Sequence, residues 1–594
     1  MNTLSISGRI WKLKKYNQDE ISFLKDNFYL DEITSKLLSI RKIKKEDIES
    51  FLNPSIKNYL PNPNTLMDMK KATLRTIQSI STKEKIGIFG DYDVDGATST
   101  ALLGKYFSEL KIPFKVYIPD RKKEGYGPTV KSFEELIDNG VKIIFTVDCG
   151  TLSFDAIDYA KKKGIDVIVL DHHQSEINLP KAFSIINPNR FDDKSNLQYL
   201  CAAGVAFMFL VSINRELRLK DWFKKNNINE PNLITYLDLV SLGTVCDVVP
   251  LIGLNRAIVT QGLKILKSKK NLGLKTLLDI CKIETSPTIY HLGFMLGPRI
   301  NAGGRVGKCS HGANLLLNND PKKAFKLASE LNEFNKERQI LEKDLLQKIL
   351  NETKDYSKDP VLILSGKNWH EGIIGIVAAR LKEKFNKPVI IISIEGQIGK
   401  ASARSIIGFD IGSVIIAATQ NKILLKGGGH KMAGGFSIDI NNIEIFREFV
   451  FRKFRNINED ISNQKPMYLD SILSPTAINL EFYNKVNNLA PFGSGNPEPK
   501  FIVEDLKTIN GKIVGEKHIK SILVGKNGSS IKTIAFNAVE NDLGAYLLKK
   551  NNKTFNIAGK LSLNEWKGQS NVEFIIDDIS VNKTLKNTVP SSIG

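Results

Sequence analysis

Three aspartates stand at alternate positions in the stretch Asp91-Tyr92-Asp93-Val94-Asp95-Gly96, directly after the apolar run IGIFG. Like charges packed this closely repel one another, and a carboxylate held away from water is costly unless a cation offsets it. A polar turn that caps a helix would use the same residue types. The arrangement returns twice, however. KIIFTV (Lys142 to Val147) runs into Asp148, and DVIVL (Asp166 to Leu170) runs into Asp171, His172 and His173. Hard carboxylates joined by imidazole suit Mg²⁺ or Mn²⁺. Two such ions, about 3.5–4 Å apart, would serve phosphoryl chemistry.

Each acidic cluster follows a short apolar strand and precedes a helical pattern or a loop. Strand–helix alternation of this kind predicts a doubly wound parallel sheet, whose ligands sit beyond the carboxyl ends of the strands. The three clusters should therefore meet on one rim. The strand Phe114 to Ile118 leads into PDRKKEGYG, which places Arg121 on the same rim, with Gly125 and Gly127 allowing close approach to a ligand. Asp247, in VCDVV, lies within an apolar run and must find a partner; a metal, an N-cap or a buried hydrogen bond would each serve.

The runs DYDVDG, TVDCG (Thr146 to Gly150) and DHH (Asp171 to His173) resemble the DHH phosphoesterase superfamily. LGTVCDVVPL (Leu242 to Leu251) and GPRINAGGR (Gly297 to Arg305) narrow the resemblance to the RecJ family of single-strand-specific DNA exonucleases, over most of the chain. That resemblance implies that Asp93, Asp95, Asp148, His172 and Asp247 hold two Mn²⁺ or Mg²⁺ ions. Asp91 and Asp171 would stand close behind, with His173 on the scissile phosphate. It implies substrate contacts from Arg121, Tyr126, Arg299, Asn301, Arg305, His370, Ser402, Arg404 and His430. The implied reaction is 5′→3′ hydrolysis of single-stranded DNA to 5′-mononucleotides, in DNA repair and recombination.

The expected architecture is α/β in its first two domains. Residues 1–82 form a lead-in segment that braces the catalytic domain, which spans 83–317. Residues 318–358 hold a connector, because Pro321 to about Lys354 is a helical pattern without internal Pro or Gly. A coiled-coil dimer is the competing reading, but the repeat is interrupted near Arg338. Residues 359–455 form a smaller α/β domain that resembles the DHH-associated domain. There GKASARS and KGGGHKMAGGF are read as anion-binding loops. Ala401, Lys431 and Gly434 depart from the family pattern. GPRINAGGR is likewise read as a loop with cations among small residues. Residues 456–581 alternate like an OB-fold barrel, whose Lys512, Lys517, Lys520 and Lys532 would line a groove for single-stranded DNA; a barrel with a merely solvated basic face is the alternative. Residues 582–594 read as a disordered tail.

Across 594 residues the chain is 42% hydrophobic and 25% charged, with a net charge of +20. Such an excess favours a polyanionic partner, although the richness in Lys, Asn and Ile supplies part of it. The five cysteines have no CxxC pairing or zinc spacing, which suits reduced thiols in a cytoplasmic protein. No signal peptide or membrane span is read, and the chain is expected to act as a monomer. Partners beyond DNA would be a single-strand-binding protein and a helicase. Two rival functions remain at this point. A DHH phosphoesterase for oligonucleotides or cyclic dinucleotides would not need the barrel. A non-catalytic DNA-binding relative would have lost the aspartates that this chain retains.

Overall fold

A computed structural model describes residues 5–352, 359–455, 465–548, 554–566 and 569–581. The chain divides into two units, one of residues 59–461 and one uniting the N-terminal 58 residues with everything after 461.

The larger unit is built on a five-stranded parallel sheet. Its strand order is Phe114–Tyr117, Ile86–Gly90, Ile143–Val147, Asp166–Leu170 and Ser184–Ile186. The central strands are continuous apolar runs because helices cover both faces. One face packs Phe89, Ile144, Val167 and Val169 against Phe133, Leu136, Ile157 and Ala160 of the helices Val130–Asp138 and Phe154–Lys162. On the other face Phe145 meets Phe107 and Phe209, from the helices Val94–Glu109 and Ala202–Leu219. In register, Gly90, Val147 and Leu170 lie side by side, so the residues that follow them leave the sheet at one edge.

The helix Pro321–Glu352 runs the length foreseen for the connector. Its last turns bury Leu345 and Ile349 among Trp369, Ile373, Val377 and Leu381 of the accessory domain. The irregularity at Arg338 is an ion-pair site: Arg338 and Arg380 both hold Glu342. The accessory sheet has the order Lys426–His430, Ala433–Asp439, Ile398–Arg404, Val389–Glu395, Leu362–Lys367. Two expectations fail here. GKASARS lies in a strand, and KGGGHKMAGGF is a β-hairpin. Glycine disfavours strands on propensity alone. At Gly429 it is required by closeness, since a Cβ there would stand 2.5 Å from the Cα of Gly434. GPRINAGGR is also not a loop but the helix Gly297–Val306, whose glycines let other backbone approach.

In the smaller unit, the strands Ser471–Leu473, Phe501–Val514, His518–Val524, Ser530–Ala535, Gln569–Ser580 and Phe555–Trp566 form one sheet. Pairing of Phe501–Val514 with Phe555–Trp566 closes the barrel. The lead-in segment does not behave as expected as a whole. Residues Met69–Thr82 do pack on the catalytic domain, where Thr73 Oγ1 donates to Ser212 Oγ at 2.8 Å. The residues up to Asn58 instead belong with the barrel. The strand Arg9–Leu13 pairs with Lys465–Leu469 in parallel. Leu24, Leu37, Leu38, Ile48 and Phe51 share a core with Phe501, Val503, Phe555 and Phe574. Trp11 Nε1 donates to Asp578 Oδ2, which is wholly buried, at 3.0 Å. The tail 582–594 lies outside the described residues. All five cysteines are free thiols. Among the described residues no helix is long and apolar enough to cross a membrane.

Candidate metal centre

Asp91, Asp148 and Asp171 each stand one residue past the aligned strand ends and are buried. Gly96 is compelled by this packing, since a Cβ there would fall 2.5 Å from the carbonyl oxygen of Asp91. Asp93 caps the helix Val94–Glu109 by accepting from the Gly96 N–H at 3.0 Å. The cap leaves further lone pairs on the carboxylate for a cation. Asp95, in the first turn of that helix, has different partners. Its carboxylate accepts the Ala202 and Ala203 N–H groups at 2.6 and 2.9 Å, at the N-terminus of Ala202–Leu219. Asp247 ends the helix Leu237–Cys246 and is followed by Val248 at φ 59°, a left-handed conformation that a β-branched residue rarely adopts.

These elements bring the carboxylates around one imidazole. His172 Nε2 lies 3.3 Å from Asp148 Oδ1, 3.6 Å from Asp247 Oδ2 and 3.8 Å from Asp95 Oδ2. Asp91, Asp93 and Asp148 form a second group whose ligand atoms all lie within 4.8 Å of one another, and Asp148, His172 and His173 a third. Asp91 Oδ1, Asp148 Oδ1, Asp247 Oδ2 and His172 Nε2 are buried and have no hydrogen-bond partner among the described residues. Buried polar atoms without partners are costly and uncommon. A hard divalent cation between them satisfies all four, so the donor set fits Mn²⁺ or Mg²⁺.

The protonation balance carries the same message. Burial, then the Asp93 charge, pushes Asp91 up to about 8. Burial with the Asp95 and Asp93 charges brings Asp247 to about 8 as well. Burial and the same neighbours raise Asp148 well above the carboxylate range, and burial raises Asp95. Burial lowers His172, leaving a neutral ring suited to be a ligand. His173 behaves oppositely. Burial works against its charge, but the 2.8 Å hydrogen bond to Asp171 Oδ1 and the charges of Asp171, Asp247 and Asp95 together outweigh it and bring His173 to about 9. Asp171 is correspondingly held below its usual range despite its burial. His173 is thus a held imidazolium.

Around this cluster stand Arg121, Arg305 and Arg404, none of which forms an ion pair with a carboxylate among the described residues. Arg121 lies over the Tyr92 ring, 5.4 Å from its centroid. Arg305 is pushed down to about 10 by burial and then by Arg121, Arg338 and Arg404. Arg404 is lowered by burial and then by Arg121. Arg404 Nη1 donates to Ser402 Oγ at 3.1 Å, and Arg305 Nη1 donates to the Gly372 carbonyl at 3.0 Å. His370 caps the helix Glu371–Phe385 and lies 3.2 Å from Lys122 Nζ. Tyr126 donates to the Asp148 carbonyl at 2.9 Å, and its ring meets His173 edge-on at 5.6 Å. Other expected residues are less engaged. Arg299 turns to Asn332 Oδ1 and the Met295 carbonyl, so its donors tie helix to helix. Asn301 is half-buried on the helix Gly297–Val306, and His430 is exposed at the end of the accessory hairpin.

Sequence reasoning missed the asparagines that aim the histidines. Asn189 Nδ2 donates to the His172 carbonyl at 2.5 Å, and Asn187 Nδ2 to the His173 carbonyl and to Thr151 Oγ1 at 2.9 Å each. Their only signal is the Asn-Pro-Asn run directly after the strand Ser184–Ile186.

The DHH family N-terminal domain pattern matches residues 85–244, the DHHA1 domain 358–456 and the RecJ OB domain 469–578. The single-stranded-DNA-specific exonuclease RecJ of Bacillus subtilis is 30% identical over 96% of this chain and 71% of its own length. The chain belongs to the RecJ family. The same-named exonuclease of Haemophilus influenzae is 33% identical over 89% of this chain and 93% of its own. A crystal structure of RecJ in complex with Mn²⁺ from Thermus thermophilus superposes with a TM-score of 0.80 at 25% identity, covering 97% of this chain and 80% of that one. Each of the three RecJ-family domains foreseen from the motifs is therefore matched by a family pattern, and the fold by a solved relative.

Proposed function

We propose that this chain hydrolyses single-stranded DNA as a metal-dependent exonuclease, working 5′→3′ and releasing 5′-mononucleotides in repair and recombination. The observation that carries the reading is the buried ring of unpartnered Asp91, Asp148, Asp247 and His172 atoms at the edge of a parallel sheet. Asp93, Asp95, Asp148, His172 and Asp247 would hold two Mn²⁺ or Mg²⁺ ions, with Asp91 and Asp171 directly behind. When bound, the ions supply Lewis acidity for the attack of water on phosphorus and for departure of the leaving oxygen.

The chain's own groups do the rest. The N–H groups of Ala202 and Ala203 fix the Asp95 carboxylate, so it cannot swing out under repulsion from its neighbours. The His173 imidazolium, held by Asp171, donates a hydrogen bond to an oxygen of the scissile phosphate. Tyr126 positions that ring and the Asp148 loop. Arg121, Ser402 and Arg404 grip the terminal 5′-phosphate, which carries more charge than an internal diester; their mutual repulsion is relieved by that anion. Arg305, His370, Asn301 and His430 complete the proposed substrate-facing set, while Arg299, bound to Asn332 Oδ1 and the Met295 carbonyl, braces the helix that carries Asn301 and Arg305. The proposed domains end near 317, 358, 455 and 581, and the residues up to Asn58 are counted with the barrel. A cytoplasmic monomer that works with a single-strand-binding protein and a helicase is the setting we propose.

The test uses end-labelled single- and double-stranded DNA with Mn²⁺ or with EDTA. Mn²⁺-dependent release of mononucleotides from single strands alone is expected. Equal digestion of duplex, or digestion in EDTA, would refute the reading. A series of strand lengths separates it from a dinucleotide phosphodiesterase, for which longer strands gain nothing.

A further inference from the structure

One element beside the metal centre has no part in the chemistry above. His291–Leu296 is a turn of π-helix that runs directly into the helix Gly297–Val306. Such turns are rare and often mark functional sites. Its inner side buries Leu292 and Leu296 and lies against the segment that ends in Asp247: the Leu292 carbonyl is 3.5 Å from Cys246 Sγ, and a Cβ on Gly293 would touch Val245. Its outer side carries two aromatic rings into solvent. Tyr290 is 61% and Phe294 71% exposed, and the rings stack with centroids 5.3 Å apart and planes 23° from parallel. Val248, next to Asp247, is 69% exposed. So much apolar surface beside a site for a polyanion needs an occupant with both phosphate and π-faces.

The order of features along this helix says which part of the strand that is. At its far end Gly304 abuts the Tyr92 carbonyl, and the Tyr92 ring lies under Arg121, on the side assigned to the 5′-phosphate. At its near end Gly297 and Leu292 abut Cys246, beside Asp247. The aromatic pair lies beyond that end, away from the terminal-phosphate side. We infer that Tyr290 and Phe294 form a stacking platform for unpaired bases of the single strand on the 3′ side of the scissile bond. The inference rests on the function proposed above. A base in a duplex is already stacked on its neighbours, so the platform accepts only single strands, whatever their sequence.

The test uses a 3′-fluorescein, 5′-phosphorylated phosphorothioate dodecamer with Mn²⁺, read by anisotropy, and a nucleoside 5′-monophosphate, which has no base 3′ of the scissile bond, as competitor. In the doubly substituted protein Tyr290→Ala/Phe294→Ala, dodecamer affinity should fall about tenfold while mononucleotide affinity is unchanged. Both side chains are exposed, so the melting temperature should hold; Tyr290→Phe/Phe294→Trp should restore binding. Dodecamers lacking one base should reveal one or two positions, 3′ of the first linkage, where the missing base costs wild type several-fold and costs the double variant nothing. The same loss on dodecamer and mononucleotide, or abasic losses unaltered by the double substitution, would overturn the platform. Wild-type protein that binds no single strand would instead refute the underlying function.

Discussion

The rim of the parallel sheet and the outer face of the barrel are both assigned to one polyanion, yet they are built on opposite principles. At the rim the charges are buried, unlike in kind and fixed by backbone: Asp95 by two N–H groups, His172 and His173 by asparagines on their carbonyls. On the barrel, Lys512, Lys517 and Lys532 are exposed, while Lys520 pairs with Glu573 at 3.1 Å. Facing positions in the strand pairs put Lys512 opposite Lys520 and Ile522 opposite Lys532. Buried charge makes a site of defined geometry; exposed charge makes a field screened by salt. Loss of a group from the rim should therefore be catastrophic, and loss of a group from the barrel graded.

The largest effect should come from Asp148→Asn, since Asp148 belongs to two of the candidate ligand groups. Its kcat should fall about a thousandfold or more, several kcal/mol of barrier, in steady-state assays with saturating Mn²⁺. Activity within tenfold of wild type would remove the distinction between rim and barrel.

His173→Ala comes next. Without the imidazolium, kcat should drop about a hundredfold. Mn²⁺ affinity should change less, which isothermal titration can verify. A third effect is in stability. Asp91 and Asp247 have folded-state values near 8, raised above the ordinary carboxylate value of about 3.9. Groups raised in this way add stability below the unfolded value and lose it as pH climbs through the folded one. In EDTA the melting temperature should therefore fall between about pH 4 and pH 8, and added Mn²⁺ should restore most of it at the alkaline end. A melting curve indifferent to pH and metal would mean that the carboxylates do not repel as described.

A smaller effect belongs to Arg121→Lys. A lysine cannot reproduce two parallel hydrogen bonds to phosphate. The rate preference for 5′-phosphorylated over 5′-hydroxyl ends should shrink by about tenfold; an unaltered ratio would place the end pocket elsewhere. Least of all is Lys512→Gln/Lys517→Gln/Lys532→Gln in the barrel. Binding should weaken several-fold, with the slope of log K against log salt shallower by about two. A change confined to one sequence context would argue for base readout instead.

The rim was legible because its convergence follows from spacing, while the roles of its residues were implied by the family resemblance. An apolar strand ending in Asp is a local pattern, and three such strands in parallel must share an edge. Asp247 was less so: it ends a helix, where VCDVV allows several partners, and only the fold sets it 3.6 Å from His172. The glycine-rich segments misled because their glycines answer to close neighbours rather than to turns. Gly303 meets the Lys308 carbonyl and Gly304 the Tyr92 carbonyl, which a helix achieves as well as a loop. The attachment of residues 9–13 to 465–469 joins positions more than 450 apart and leaves no local trace. The basic face of the barrel was read from lysines placed among the alternating segments, and their positions in sequence cannot say that Lys520 already has a carboxylate.

The central claim is that the buried carboxylates are a cage for two divalent cations. Equilibrium dialysis of the full-length protein against Mn²⁺ counts them directly. Two tightly held ions per chain are expected in wild type, fewer in Asp247→Asn and fewest in Asp148→Asn. Wild-type stoichiometry retained in both variants would contradict the account.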